Sequence, residues 1–183
     1  MSDFLTDVEG CLHPFYKKPS NFKRLEEAKS GTSVTLITEG RYLVYSFDTG
    51  GSNDSQSEKK ELFPFFSQKP KLRRVCDYVI FCTRKSDDMP FVLIIELKTK
   101  GNPIPQLWAT KQFVDFLINR VNAACNSNYQ PEIKKIGLLE AMSSNLSGKY
   151  RSSGTRPGKI LFDDKNIACV MGEKLVIADC LTP

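Results

Sequence analysis

With 183 residues, of which 40% are hydrophobic and 26% charged, the chain can fill one compact core but would be cramped with two. The net charge of +5, from 26 basic and 21 acidic residues, is too mild to define a partner, and no apolar run approaches the ~20 residues of a membrane helix. Six cysteines are too few for a disulfide scaffold at this length, and a single histidine, His13, without any Cys-x-x-Cys pair argues against structural zinc.

The stretch Met1–Gly10 is polar and acidic where a signal peptide is basic and then apolar, so the expected location is the cytoplasm. A first helix is expected from Ser20 to Ser30: Ser20 or Asn21 caps the free amides, Phe22, Leu25 and Ala28 or Lys29 keep helical spacing, and Gly31 ends the run. From Ser33 to Phe47 the β-branched and aromatic pattern predicts two strands joined at Glu39-Gly40 in a tight hairpin. Residues 48–60, DTGGSNDSQSEKK, contain no large apolar side chain and read as a mobile loop inside a single domain spanning residues 1–183.

Val75–Cys82 and Phe91–Leu97 are the strongest strand signals, and the polar TRKSDDMP between them predicts an antiparallel hairpin. Pro103 and Pro105 open a largely buried helix that runs to about Cys125, followed by a strand at Ile136–Met142. A basic, Ser/Gly-rich loop at residues 143–158 precedes short strands at Lys159–Phe162, Ile167–Met171 and Lys174–Ala178. The fold class is therefore α/β, a central mixed β-sheet flanked by α-helices. Basic clusters at Lys69–Arg74, Arg84–Lys85, Lys134–Lys135 and Lys149–Lys159 read as solvated surface unless they surround a chemical site.

Charged residues inside apolar strands are the informative feature, because a buried ion is costly unless paired or metal-bound. Asp77 interrupts VCDYVIFC, while Glu96 and Lys98 close FVLIIELK on one face of their strand, since alternate residues share a face. In an antiparallel hairpin, Asp77 near the start of one strand falls opposite Glu96 near the end of the other. Two carboxylates plus the Leu97 carbonyl form a hard oxygen set of the kind Mg²⁺ or Mn²⁺ prefers, and Lys98 is placed to orient water or to stabilise developing negative charge.

This arrangement, CDYVIF followed by FVLIIELK and a helix beginning around Gln106, resembles the core of the PD-(D/E)XK (restriction-endonuclease-like) nuclease superfamily. The resemblance spans roughly residues 75–121. It implies a restriction-endonuclease-like fold and metal-dependent hydrolysis of phosphodiesters, in DNA before RNA. Asp77, Glu96, Lys98 and Gln106 would be catalytic, and Asp77, Glu96 and Leu97 would hold the metal. Cys76 stands where the motif's proline would be. Thr110 stands where relatives with this glutamine often carry an aromatic residue.

Lys149, Tyr150, Arg151 and Arg156 suit phosphate neutralisation and base stacking by the basic loop. Glu26 is a candidate third carboxylate from the first helix, although a solvated helix glutamate is the commoner case. Trp108 suits a core or interface position better than base stacking. Cys76 and Cys82, six apart, are expected on one strand face, and His13 receives no role. The rival reading is a nucleic-acid-binding or regulatory module that keeps the fold while the carboxylates and Lys98 form a structural ion pair. A homo-oligomer or larger complex that completes the site is a third option.

Overall fold

A computed structural model describes residues 3–27, 31–47, 75–98, 101–139 and 160–181. These residues form a mixed α/β fold with a five-stranded sheet, a three-stranded sheet and three α-helices. In chain order the elements are α1 (Phe4–Cys11), β1 (Arg24–Glu26), β2 (Ser33–Ile37), β3 (Tyr42–Tyr45), β4 (Tyr78–Thr83) and β5 (Pro90–Lys98). They continue with α2 (Ile104–Cys125), β6 (Glu132–Leu139), β7 (Ile167–Met171), β8 (Lys174–Val176) and α3 (Ile177–Cys180).

The larger sheet has the order β3-β4-β5-β6-β7, with β3, β4 and β5 antiparallel and β5, β6 and β7 parallel. Its central strand β5 is covered on both faces, which is why its sequence is a nearly unbroken apolar run. Val92 and Ile94 pack with Phe4, Leu107 and Val114 from the α1 and α2 layer. Phe91, Leu93, Ile95 and Leu97 pack the other way, against Leu25, Leu36 and Leu175 of the three-stranded sheet. Each such residue contributes about 1.5–3 kcal/mol on burial, so a charge placed at Ile94 would disrupt the centre of the fold.

Helix α2 lies on this sheet at very close range. A Cβ at Gly137 in β6 would sit 2.6 Å from Pro103 Cγ, closer than carbon atoms approach, so glycine there lets the first turn of α2 rest directly on the strand.

Several expectations are corrected. The helix at Ser20–Ser30 is instead strand β1: Arg24 and Glu26 point outward around buried Leu25, and the segment pairs antiparallel with β2. The spacing of Phe22 and Leu25 fits either period, and the β2 ladder decides it. The strands of Ser33–Phe47 form, but not as a hairpin. Gly40, at φ +85°, turns the chain from β2 in the small sheet to β3 in the large one. Within Lys159–Phe162, residues 160–162 form no strand, and β8 stops at Val176 where α3 begins.

Helix α1 was not anticipated. Asp3 Oδ1 accepts from Thr6 N at 2.9 Å as an N-cap, and Phe4, Leu5 and Val8 are buried. Cys76 and Cys82 lie in opposite core layers, because Cys76 precedes a bend at Asp77 and has left the alternation of β4. Lys134 and Lys135 are not solvated surface but 3% and 2% exposed. Lys134 Nζ lies 4.8 Å from the Phe162 ring centroid, and Lys135 Nζ lies 4.6 Å from that of Trp108. The loops at 48–60 and 143–158 and the Lys69–Arg74 cluster lie outside the described residues.

Candidate functional site

Strands β4 and β5 pair from Tyr78 opposite Ile95, and Asp77, the residue just before β4, lies beside the end of β5. The bend at Asp77 turns its carboxylate back onto the neighbouring strand, where Oδ2 accepts from Leu97 N at 2.6 Å. Lys98 Nζ lies 2.8 Å from Glu96 Oε1. Asp77, Glu96, Leu97 and Lys98 are thus brought together at the end of β5, beside the first turns of α2. Leu97, expected to offer its carbonyl, gives its N–H to Asp77.

Glu96 is 1% exposed, and its Oε2 is buried without a hydrogen-bond partner. Burial pushes its carboxyl above the ordinary value, with Lys98 working in the opposite direction. For Lys98, burial disfavours the ammonium, but the hydrogen bond to Glu96 and the charges of Glu96, Glu27 and Asp77 outweigh it and hold the group above its usual value. The Cys76 thiol is pushed well up by burial first and by the Glu96 charge second.

Three participants were not anticipated. Glu27, one residue beyond β1, is half-buried, and its charge acts on both Glu96 and Lys98. Glu26, the candidate third carboxylate for which a solvated position was the commoner expectation, is exposed and paired with Arg24 Nε at 2.7 Å. The signal was alternation: with Leu25 facing inward, Glu27 shares its side and Glu26 does not. Thr110, read only as a departure from a motif, accepts from Cys76 N through Oγ1 at 2.7 Å and anchors the backbone next to Asp77. Cys76 itself, noted as a missing proline, places a thiol against Glu96.

Gln106 is half-buried one turn ahead of Thr110 on α2, and among the described residues it makes no hydrogen bond to the carboxylates. Trp108 is 39% exposed, only partly in the core. His13 accepts from Phe15 N through Nδ1 at 3.1 Å, capping a short 3-10 turn at Pro14–Tyr16. Lys149, Tyr150, Arg151 and Arg156 lie outside the described residues. A cavity of about 310 Å³ opens at the ends of β6 and β7, lined in part by Gly31, Thr32, Ser33, Leu139 and Glu173. It adjoins the cluster, since Leu139 pairs with Lys98 and the Thr32 carbonyl accepts from Glu27 N.

Among the described residues, no group of three or more His, Cys, Asp or Glu side chains is arranged to hold a metal ion. No described helix is long and apolar enough to cross a membrane. Comparison with family models, with curated proteins and with solved structures finds no match.

Proposed function

We propose that this chain is a metal-dependent phosphodiesterase with a restriction-endonuclease-like core, acting on nucleic acid, DNA before RNA. The observation that carries the reading is Glu96. A carboxylate inside a buried strand is costly, yet this one lies beside the strand end that Asp77 contacts, with one oxygen on Lys98 and the other buried near the Cys76 thiol without a well-formed hydrogen bond.

The donor set suits a hard cation. Mg²⁺ is commonly held by one or two carboxylates together with waters and substrate phosphate, so Asp77, Glu96 and the Leu97 carbonyl fit without a full protein cage. When bound, such an ion supplies Lewis acidity toward a phosphoryl oxygen and a more acidic water. Lys98 holds a fixed positive charge where negative charge grows on the phosphoryl group. Glu27 adds negative potential that favours a cation, Thr110 fixes the backbone from which Asp77 projects, and Gln106 stands in the helical turn above. Lys149, Tyr150, Arg151 and Arg156 are assigned to gripping the polymer.

One observation favours the rival. Asp77 Oδ2 and Glu96 Oε1 already have partners within the protein, as expected of a structural ion pair in a binding module. Cleavage of labelled single-stranded and duplex DNA and RNA in Mn²⁺, by wild type and by Asp77→Asn and Glu96→Gln, separates the two. The enzyme reading expects cleavage that both substitutions abolish. Binding without cleavage by wild type, unaltered in either variant, establishes the binding module instead.

A further inference from the structure

Helices α1 and α2 end side by side, and the last residue of each is a cysteine. Cys11 Sγ and Cys125 Sγ stand 3.5 Å apart, although 114 positions separate them in sequence. Cys11 is exposed and Cys125 is half-buried, in contrast to Cys76, Cys82, Cys169 and Cys180, which are all buried. The two helices are already held in register around this pair. Tyr129 OH, just beyond α2, donates to Asp7 Oδ2 at 2.7 Å, and its ring meets Phe4 edge-on at 5.2 Å.

We propose that Cys11 and Cys125 are a thiol modification site, converted by a low-molecular-weight disulfide of the glutathione class into an intramolecular disulfide that staples α1 to α2. The Cys11 thiolate attacks one sulfur of the small disulfide, giving a mixed disulfide and releasing one small thiol. The Cys125 thiolate then attacks the Cys11 sulfur, forming the internal S–S bond and releasing the second small thiol. Two protein thiols are oxidised, one small disulfide is reduced to two thiols, and the protein loses two hydrogens. The order follows from access: Cys11 is the exposed partner. Cys125 is pushed up to about 11, first by its hydrogen bond to Cys11 and then by burial and the neighbouring charges of Cys11 and Asp7. Cys125 therefore rests as a thiol until its neighbour has been converted to the mixed disulfide. The bond needs sulfurs at ~2 Å, a closure within reach of side-chain rotation.

The test uses full-length protein incubated with oxidised glutathione, alkylated under denaturing conditions and analysed by intact mass and peptide mapping. Wild type is expected to lose the mass of two hydrogens, yield a Cys11–Cys125 cross-linked peptide and keep its four buried cysteines alkylatable. Its melting temperature should rise by about 5 °C or more, because the bond closes a long loop. Cys125→Ser is expected to stop at a glutathione adduct on Cys11. Wild type that yields only glutathione adducts or interchain dimers overturns the proposal. So does a cross-linked protein that melts no higher than the reduced one.

Discussion

Lys98 Nζ and Glu96 Oε1, two residues apart on one strand, form a 2.8 Å ion pair in which the carboxylate is almost fully buried while a quarter of the lysine side chain stays in water. Removing the lysine leaves an uncompensated carboxylate. Lys98→Met should therefore cost roughly 2–3 kcal/mol by chemical denaturation, less than a fully buried pair because the ammonium is partly solvated. It should also push the Glu96 carboxyl further up, readable by carbon-detected NMR of that side chain. A denaturation midpoint equal to wild type would show that the pair contributes nothing.

Cation binding offers a second test. Wild type should gain thermal stability in millimolar Mn²⁺ or Mg²⁺ by mass action, about 2.7 kcal/mol at a hundredfold excess over the dissociation constant, while Asp77→Asn and Glu96→Gln should not. Equal shifts in all three proteins would point to general ionic effects.

Catalysis and binding should separate by residue. Lys98→Ala is expected to abolish cleavage with affinity largely intact, measured by fluorescence anisotropy in Ca²⁺. Replacing Lys149, Arg151 and Arg156 by alanine should weaken binding uniformly and flatten its salt slope by about one unit per lost phosphate contact. If Lys98→Ala weakens binding as much as the triple variant does, the division of labour is wrong.

The buried Thr110 hydroxyl accepts the Cys76 amide. Thr110→Val keeps the shape but leaves that N–H unsatisfied, at a cost of about 1–3 kcal/mol in urea denaturation. Thr110→Ser should restore most of it. The same loss should loosen Asp77 and weaken Mn²⁺ affinity in the valine variant, and an unchanged affinity would confine Thr110 to packing.

The pH profile has a defined sign. Burial raises Glu96 above its ordinary 4.5, so the folded protein keeps that proton where the unfolded chain has lost it. Its ionisation therefore lowers stability as pH rises from 4.5 through the folded midpoint. Lys98 is raised above 10.5, so its stabilisation is complete below 10.5 and is lost as pH climbs through its folded value. Under the proposed role of Glu96 as a cation ligand, cleavage should show an acid limb centred above 4.5, the window in which Glu96→Gln lacks the wild-type decline in stability. An acid limb at or below 4.5 would separate cleavage from Glu96.

The β4–β5 hairpin and α2 were legible because a strand covered on both faces is nearly all apolar, which makes a single Asp or Glu conspicuous. Local pattern says less about partners. SVTLI and YLVY are strands as read, yet they belong to different sheets, a choice made by distant β8 and β4. Phe22 and Leu25 satisfy two periods, and choosing the helical one pointed to Glu26 where the extended chain brings Glu27 inward. Helix α1 carried a readable cap in Asp3, but its short apolar face gains its burial from tertiary contacts with Phe81 and Tyr129. Thr110 had no local signal at all, since its partner lies 34 positions away.

Gly137 belongs to no proposed chemistry, yet it sets how far α2 stands from the sheet. Any side chain there must displace Pro103, and with it the start of the helix whose Thr110 holds the Cys76 amide. Ordinary drift is therefore barred at this strand position. Exchange of Lys98 would leave α2 where it is, whereas a side chain at Gly137 would move the helix and the residues it brings to the site together, so this position ties the site's alignment to the architecture.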